Sequence, residues 1–570
     1  MSSSTVRLAA AAGLLAVSAA AGRAVEYTWN GGGTTGNWSE AANWGGTAPA
    51  SDLTNTLIRL AGPTNTATVL DAGLSTSGNP PAFELHRLTF AADSGPFTIT
   101  QGVGGPPLRM GGASGGGGIT VESGNASNLA INAPLTLSGG GSFTWTHNGT
   151  GLLTVSGPVM LSGPGVLVGG TGDYAITGAI SSVPANNGIT FTGAGTKTLS
   201  GANTYTGFTN IPAGTVKLAG GANRLPTGTT VRLGGATGPS IGTLDLNGQS
   251  QSVFGLMTLN LDANNRVLST AAGAFPTFTV NNTSSNQTFN GTLGGAGGDD
   301  FSFRVITGTS NAFTLTQANT YTGDTTITGT LKLSGSGSIA NSRTITVGPA
   351  SPGASMLDVS TTGTNPLTGG ANFDATTGRF ALAAGQRLQG FGRGTIGGVT
   401  VRAGSAVQGG VDSAIGTFTV GGSSTVNAAT GTDGGTIRVY VRDTGTVTAS
   451  RIAISGVGST LDFANIVPGQ SRFQIDLRDA GGLQMGKSYS ITLATAGGFL
   501  RNGIAASFTT DDFILTSPDF PSFTGVSLVN AGAELMLNFT PVPEPATVLA
   551  VAGLGLAGLG RARRWFRPAL

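Results

Sequence analysis

Two stretches of this chain are copies of one short unit, and that repeat limits the possible folds more than any other feature. Residues 199–218 read LSGANTYTGFTNIPAGTVKL and residues 315–333 read LTQANTYTGDTTITGTLKL; with one deletion, 13 of 19 aligned positions are identical. Each copy continues into another strand-like run ending in glycine, at residues 229–234 and 343–348. A unit this short cannot bury a core alone, so it must stack on neighbours. Within it the pattern alternates: Val216 and Leu218 face one side, Thr215 and Lys217 the other, and Thr330 to Leu333 does the same. Similar runs recur at residues 188–191, 345–347 and 398–401. Short strands punctuated by glycine and proline allow either a set of sandwiches or a β-solenoid. The solenoid fits better. Stacked coils place like residues over like, which favours Thr, Asn and Val ladders and leaves little room for charge. Charged residues are 9% of this chain, against roughly 25% in an ordinary domain. The 97 glycines supply corners where φ must be positive. At 39% hydrophobic residues and a net charge of +2, the composition is not that of a disordered chain.

Cysteine is absent, which excludes disulfides and thiolate metal sites. The small positive charge comes from the ends. Arg7, Arg23, Arg561, Arg563, Arg564 and Arg567 lie there with one acid, Glu544, so the body between them carries a formal −3. No basic excess is left to hold nucleic acid phosphates, and no nucleic acid partner is expected.

The two ends agree on a topology. Residues 1–24 read as a signal peptide, with Arg7 ahead of an apolar run at 8–21 and small residues Gly22 and Ala24 before a cleavage point after Ala24; cleavage after Ala21 is the alternative. At the other end come Pro543, Glu544 and Pro545, then an apolar run at 546–560, then Arg561, Arg563 and Arg564. That run is short for roughly 30 Å of hydrocarbon, so it suits a weak or transient transmembrane helix. The arginines stop it on the cytoplasmic side and leave the body outside. The tripartite order resembles the PEP-CTERM sorting signal of Gram-negative bacteria; an ordinary tail anchor is the plainer reading. The resemblance implies recognition by an exosortase, removal of the tail, and delivery of the body to the cell surface or extracellular matrix, with signal peptidase as the other processing enzyme.

The ANTYTG copies resemble the autotransporter-associated β-strand repeat, found in autotransporter passengers and in secreted planctomycete proteins. The opening WNGGGTTGNWSEAANW, from Trp29 to Trp44, and residues 388–420 resemble other parts of such proteins. The resemblance implies an all-β, right-handed parallel β-helix. The expected organisation is a signal peptide at 1–24, a Trp-rich cap at 25–60, a β-helical region at 61–475, a terminal β unit or cap at 476–541, and the sorting signal with its anchor at 542–570.

Candidate chemistry is sparse. Gly112 to Gly116 matches a nucleophile elbow around Ser114, without the strand-to-helix setting that strains such a serine; His86 and His147 are the only imidazoles. A dinucleotide fingerprint at 553–558 falls inside the apolar C-terminal run, where it reads as ordinary membrane-helix glycine. Residues 294–302 fit one calcium-binding nonapeptide, but tandem copies are needed to complete each site. Asp299-Asp300 and Asp511-Asp512 are the adjacent carboxylates, and neighbours on a strand point to opposite faces. No catalytic, cofactor-binding or metal-ligating residue is assigned, and no cofactor. Trp29, Trp38 and Trp44 either plug the open end of the stack or contact a glycan; Tyr205 and Tyr321 are stacking or corner residues.

The expected role is a non-enzymatic structural or adhesive surface protein, whose long faces suit extracellular polysaccharide or other surface proteins. The alternative is a secreted carbohydrate-active enzyme, a lyase or hydrolase, or a glycan-binding module. Three or more acids or arginines gathered in one groove favour the enzyme. A smooth Thr/Asn face favours the rod.

Overall fold

The computed structural model describes residues 24–543 except 112–116, 184–186, 239, 296–299, 349–354, 360–370, 378, 412, 432–433 and 506. Among these residues the structure is all-β, and the one helical element is a single 3-10 turn, Ala41–Trp44. The signal segment and the C-terminal apolar run lie outside the described residues.

Strands form where the sequence alternates. Thr56–Leu60 buries Ile58 and Leu60, and Phe143–His147 buries Phe143 and Trp145. The chain lays successive strands into three sheets in turn. Ala67–Leu70 opens one sheet, Phe83–Leu85 a second, and Arg87–Phe90 joins a third beside Thr56–Leu60. Each return pairs in parallel with the strand of the previous circuit: Leu88 opposite Ile119, Ile119 opposite Trp145, Trp145 opposite Val168. Three parallel sheets of ten, ten and five strands result. From about residue 251 three further sheets of twelve, ten and seven strands continue the pattern. One apolar core runs from Trp29 to Phe539. Long parallel sheets visited in rotation are compatible with a solenoid.

Corners need glycine at specific places. Gly170, Gly193 and Gly214 have φ of 102°, 80° and 82°. They stand over one another, so that a Cβ on Gly193 would strike the Gly170 carbonyl and one on Gly214 the Gly193 carbonyl. Only glycine combines that backbone conformation with so close an approach.

The two sequence copies share one internal arrangement. In each, the ANTYTG segment carries no paired strand, and its asparagine bridges neighbouring circuits. Asn203 Oδ1 accepts from Ile180 N at 2.8 Å, while its Nδ2 donates to Arg224 O at 2.7 Å. Asn319 Oδ1 accepts from Leu293 N at 2.8 Å, while its Nδ2 donates to Ser338 O at 3.0 Å. The tyrosines point inward. Tyr205 OH meets Thr209 Oγ1 at 2.7 Å and Thr209 meets Thr229 at 3.0 Å; Tyr321 OH meets Thr325 at 2.6 Å and Thr325 donates to Ser342 at 2.8 Å. Buried hydroxyls are thus paired with one another, as burial demands. Yet the copies sit on different faces. Thr209–Ile211 belongs to the sheet that begins at Val25–Trp29, whereas its counterpart Thr325–Thr328 belongs to the one that begins at Gln251–Val253.

A buried lysine lies in the same stack. Tyr174 and Lys197 pair in register. Lys197 is buried, and its Nζ donates to Gly193 O at 3.1 Å and Gly195 O at 2.6 Å. Burial pulls its ammonium down to about 8, with Asp173 opposing. An unfolded lysine titrates near 10.4. Above pH 8 the unfolded chain therefore binds more protons than the folded one, and stability rises with pH. Denaturation midpoints measured from pH 7 to 9.5 should climb by an amount corresponding to about 1–2 kcal/mol, and Lys197→Met should abolish that rise. Above pH 10 the buried tyrosines act oppositely, because burial raises the pKa of Tyr174, Tyr205 and Tyr321.

Parallel pairing runs through residue 476, which lies inside Ser471–Asp479, a strand parallel to Thr436–Asp443. Parallel pairs continue beyond it, Gly498–Arg501 on Thr460–Ala464 and Phe513–Thr516 on Ser471–Asp479, but antiparallel pairs join them from Tyr489–Thr495 onward. That strand pairs with Glu534–Val542, which in turn pairs with Ser522–Ala531.

Candidate functional sites: the sorting segment and an arginine groove

The last strand, Glu534–Val542, turns Leu535, Leu537 and Phe539 into the core and is held between two antiparallel neighbours. Proline ends it. Pro541 has no N–H to give to a ladder, though its carbonyl still accepts from Gly486 N at 2.7 Å. Ser522 Oγ then donates to the carbonyls of Val542 at 3.3 Å and Pro543 at 3.4 Å. Pro543 is exposed. The fold therefore hands the chain to the Pro-Glu-Pro motif without an intervening linker. Glu544, Pro545, Arg561, Arg563 and Arg564 lie outside the described residues. No helix among the described residues is long and apolar enough to cross a membrane. Ala24 is exposed and immediately precedes the first strand, whose Val25 N donates to Asn55 O at 2.8 Å.

The three tryptophans are not available to a glycan. Trp29 and Trp38 have no exposed surface and Trp44 only 7%. Their rings meet edge to face, Trp29 with Trp44 at 4.9 Å and Trp38 with Trp44 at 5.4 Å. Stacking on a sugar needs an open ring face; here the faces are spent on one another and on Phe83 and Phe97. The glycan-contact expectation is corrected accordingly, since burying these large apolar rings is worth more than exposing them.

The other candidates of the sequence scatter. Residues 112–116 and 296–299 lie outside the described residues. His86 Nδ1 bonds the Gly111 carbonyl at 2.8 Å, and His147 is buried, with its pKa lowered by that burial and its Nε2 on Gly151 O at 2.8 Å. Asp511 is exposed. Asp512 is fully buried, and accepts from Arg501 Nη2 at 2.7 Å and Thr509 N at 2.8 Å. Among the described residues no group of three acids or histidines could hold a metal.

One arrangement escaped the sequence. The outward face of the sheet running through Thr344–Val347, Arg387–Gly390, Ala406–Gly409, Thr436–Asp443, Ser471–Asp479 and Phe513–Thr516 carries a cleft of about 640 Å³. Among the described residues, Arg343, Arg387, Arg438 and Arg478 line it, with Asp476 as the one acid. Asp476 is buried and shared: Arg438 Nε reaches its Oδ2 at 2.7 Å, and Arg478 Nε reaches its Oδ1 at 2.9 Å. One carboxylate thereby orients two guanidinium groups side by side. The pairs Arg387–Ala406 and Ala406–Thr436 put Thr436 two rungs from Arg387, and Arg438 stands two residues further along that strand, opposite Asp476. Only knowledge of that register would have brought the arginines together.

Comparison with known proteins gives one finding. The PEP-CTERM protein-sorting motif matches residues 541–564. No curated protein matches the chain. The matched residues begin inside the last strand and cover the exposed exit from the fold, so what stands at the end of these sheets is the sorting motif of an exported protein, handled by an exosortase through a membrane-anchored step.

Proposed function

We propose that this is a non-enzymatic protein of the cell surface or extracellular matrix, a right-handed parallel β-helical rod built on autotransporter-associated β-strand repeats of the planctomycete type. The observation that carries the reading is a sorting motif attached directly to a fold of long parallel sheets. Signal peptidase cuts after Ala24, the segment at 546–560 holds the chain in the inner membrane while Arg561, Arg563 and Arg564 stay in the cytoplasm, and exosortase releases the body. The rod then offers long, regular faces for multivalent contact with polysaccharide or other surface proteins.

The carbohydrate-active enzyme is the second reading, because four arginines do share a groove. Their chemistry favours binding. Guanidinium groups stay protonated and cannot act as general acid or base near neutral pH. The groove's acid, Asp476, is engaged by two arginines.

The test is processing in a Gram-negative host that has an exosortase. Mass spectrometry of the released wild-type chain should find a C-terminus that lacks Arg563. Replacing Pro543, Glu544 and Pro545 with alanine should keep the chain in the membrane fraction and cut release at least tenfold. Intact Arg563 in surface-released wild-type material would contradict tail removal. Sugar release from a polysaccharide by the purified chain, lost on mutation of one acid, would favour the enzyme.

A further inference from the structure

We propose that the arginine groove is a binding site for an acidic polysaccharide. The proposal rests on the exported destination argued above only for where such a polymer is met; the chemistry is the groove's own.

Among the described residues that line the groove, four arginines against one acid give a formal +3, in a body whose formal charge is −3. That concentration of sign is local. Elsewhere on the sheets basic residues face acids across the rungs, as Arg109 faces Glu84 at 2.8 Å and Lys217 faces Asp245 at 3.8 Å. Six strands with five spacings of about 4.8 Å make the groove about 24 Å long across the strands, room for several sugar rings end to end. Arg343 is exposed, and Arg387, Arg438 and Arg478 are half-buried, so their stems are packed while the groove remains open. Arg438 and Arg478 are held by Asp476 through some of their N–H groups, and guanidinium has five; the rest can face a ligand in the paired geometry that suits carboxylate or sulfate. Such preorganisation reduces the ordering cost of binding. Between the arginines, Thr436, Thr516 and Ser517 bring hydroxyl groups suited to a sugar's own hydroxyls. A polymer with one negative group per sugar or every second sugar matches this alternation of charge and hydroxyl. Single-stranded nucleic acid fits it less well, because such sites add aromatic platforms for the bases, and among the described residues no aromatic side chain lines this cleft.

The purified full-length chain, in detergent, should be retarded in gels containing polygalacturonate or dextran sulfate, and not in gels containing neutral dextran. The two anionic gels distinguish carboxylate from sulfate as the group bound, and salt should weaken either. The double variant Arg343→Ala with Arg438→Gln should bind at least tenfold more weakly, with an unchanged circular dichroism spectrum. Arg343→Ala alone, which alters an exposed side chain, should weaken binding about threefold and covers the case in which the double variant fails to fold. Arg304→Ala, exposed on the same sheet but outside the groove, should leave binding unchanged. Equal retardation by neutral dextran, no retardation by either anionic gel, undiminished binding by Arg343→Ala, an equal loss in Arg304→Ala, or tighter binding to single-stranded DNA would each overturn the proposal. Failure of the surface-delivery reading would show instead in the fractionation experiment, which the gels do not touch.

Discussion

Trp29→Ala is expected to loosen the N-terminal end of the structure by about 3–5 kcal/mol, the range for removing a large buried aromatic side chain. Trp29 has no exposed surface, meets Trp44 and Phe97 edge to face, and donates its indole N–H to Thr64 O at 3.3 Å. Trp44 in turn donates to Trp38 O at 2.8 Å, so the three rings form one unit over the first circuits. In a stack where each circuit touches only its neighbours, the damage should stay local. Amide exchange across residues 25–101 should speed by roughly a hundredfold or more, since each 1.4 kcal/mol is a factor of ten. Exchange in Glu534–Val542 should not change. A uniform loss of protection along the chain would contradict a nearest-neighbour stack and point to a single cooperative unit.

At the opposite end, Asp512→Ala is expected to cost about 3 kcal/mol. Asp512 is fully buried, while its partner Arg501 keeps 26% of its side chain exposed. Removing one member of a buried pair leaves the other charge without compensation, typically a loss of about 3–5 kcal/mol. The exposed part of Arg501 lets water offset some of that, which places the loss at the lower end of the range. Thr509 N also loses its acceptor. Replacing both partners, Arg501→Met with Asp512→Ala, should recover much of the loss, because no charge then remains without its partner. Chemical denaturation followed by fluorescence would show both effects. A loss below about 1 kcal/mol for the single variant would mean that the Asp512–Arg501 pair contributes little to holding this end of the fold.

Several parts of the structure are legible in the sequence. The alternation in Gly214–Leu218 and Thr330–Leu333 named the buried residues correctly, with Val216, Leu218, Leu331 and Leu333 all in the core. Ladders of Asn and Thr were expected from stacking; Thr209 does meet Thr229, but Thr325 meets Ser342, and Asn203 and Asn319 each bond backbone groups of neighbouring circuits rather than another asparagine. The sorting motif was readable because its order of Pro-Glu-Pro, apolar run and arginines is local in sequence, and residues 541–564 match it. The tryptophans were harder. A Trp-rich opening suits both a plug and a sugar platform, and the choice depends on whether the rings meet one another, which the linear spacing of Trp29, Trp38 and Trp44 does not contain.

What the linear order of residues determined by itself is periodicity: strands that alternate at every second residue, glycines at the corners, a repeated unit too short to stand alone, and a sorting address at one end. What only the tertiary structure decided is register. Forty or more residues separate each arginine of the groove from the next, and the ANTYTG copies, alike in sequence, lie on different faces. The physical reason is that a strand's side-chain pattern is set by local alternation, whereas its neighbours are set by how much chain each circuit consumes before it returns. A change of a few residues in one connection moves a charge to a different rung, and that displacement leaves no trace in the local pattern.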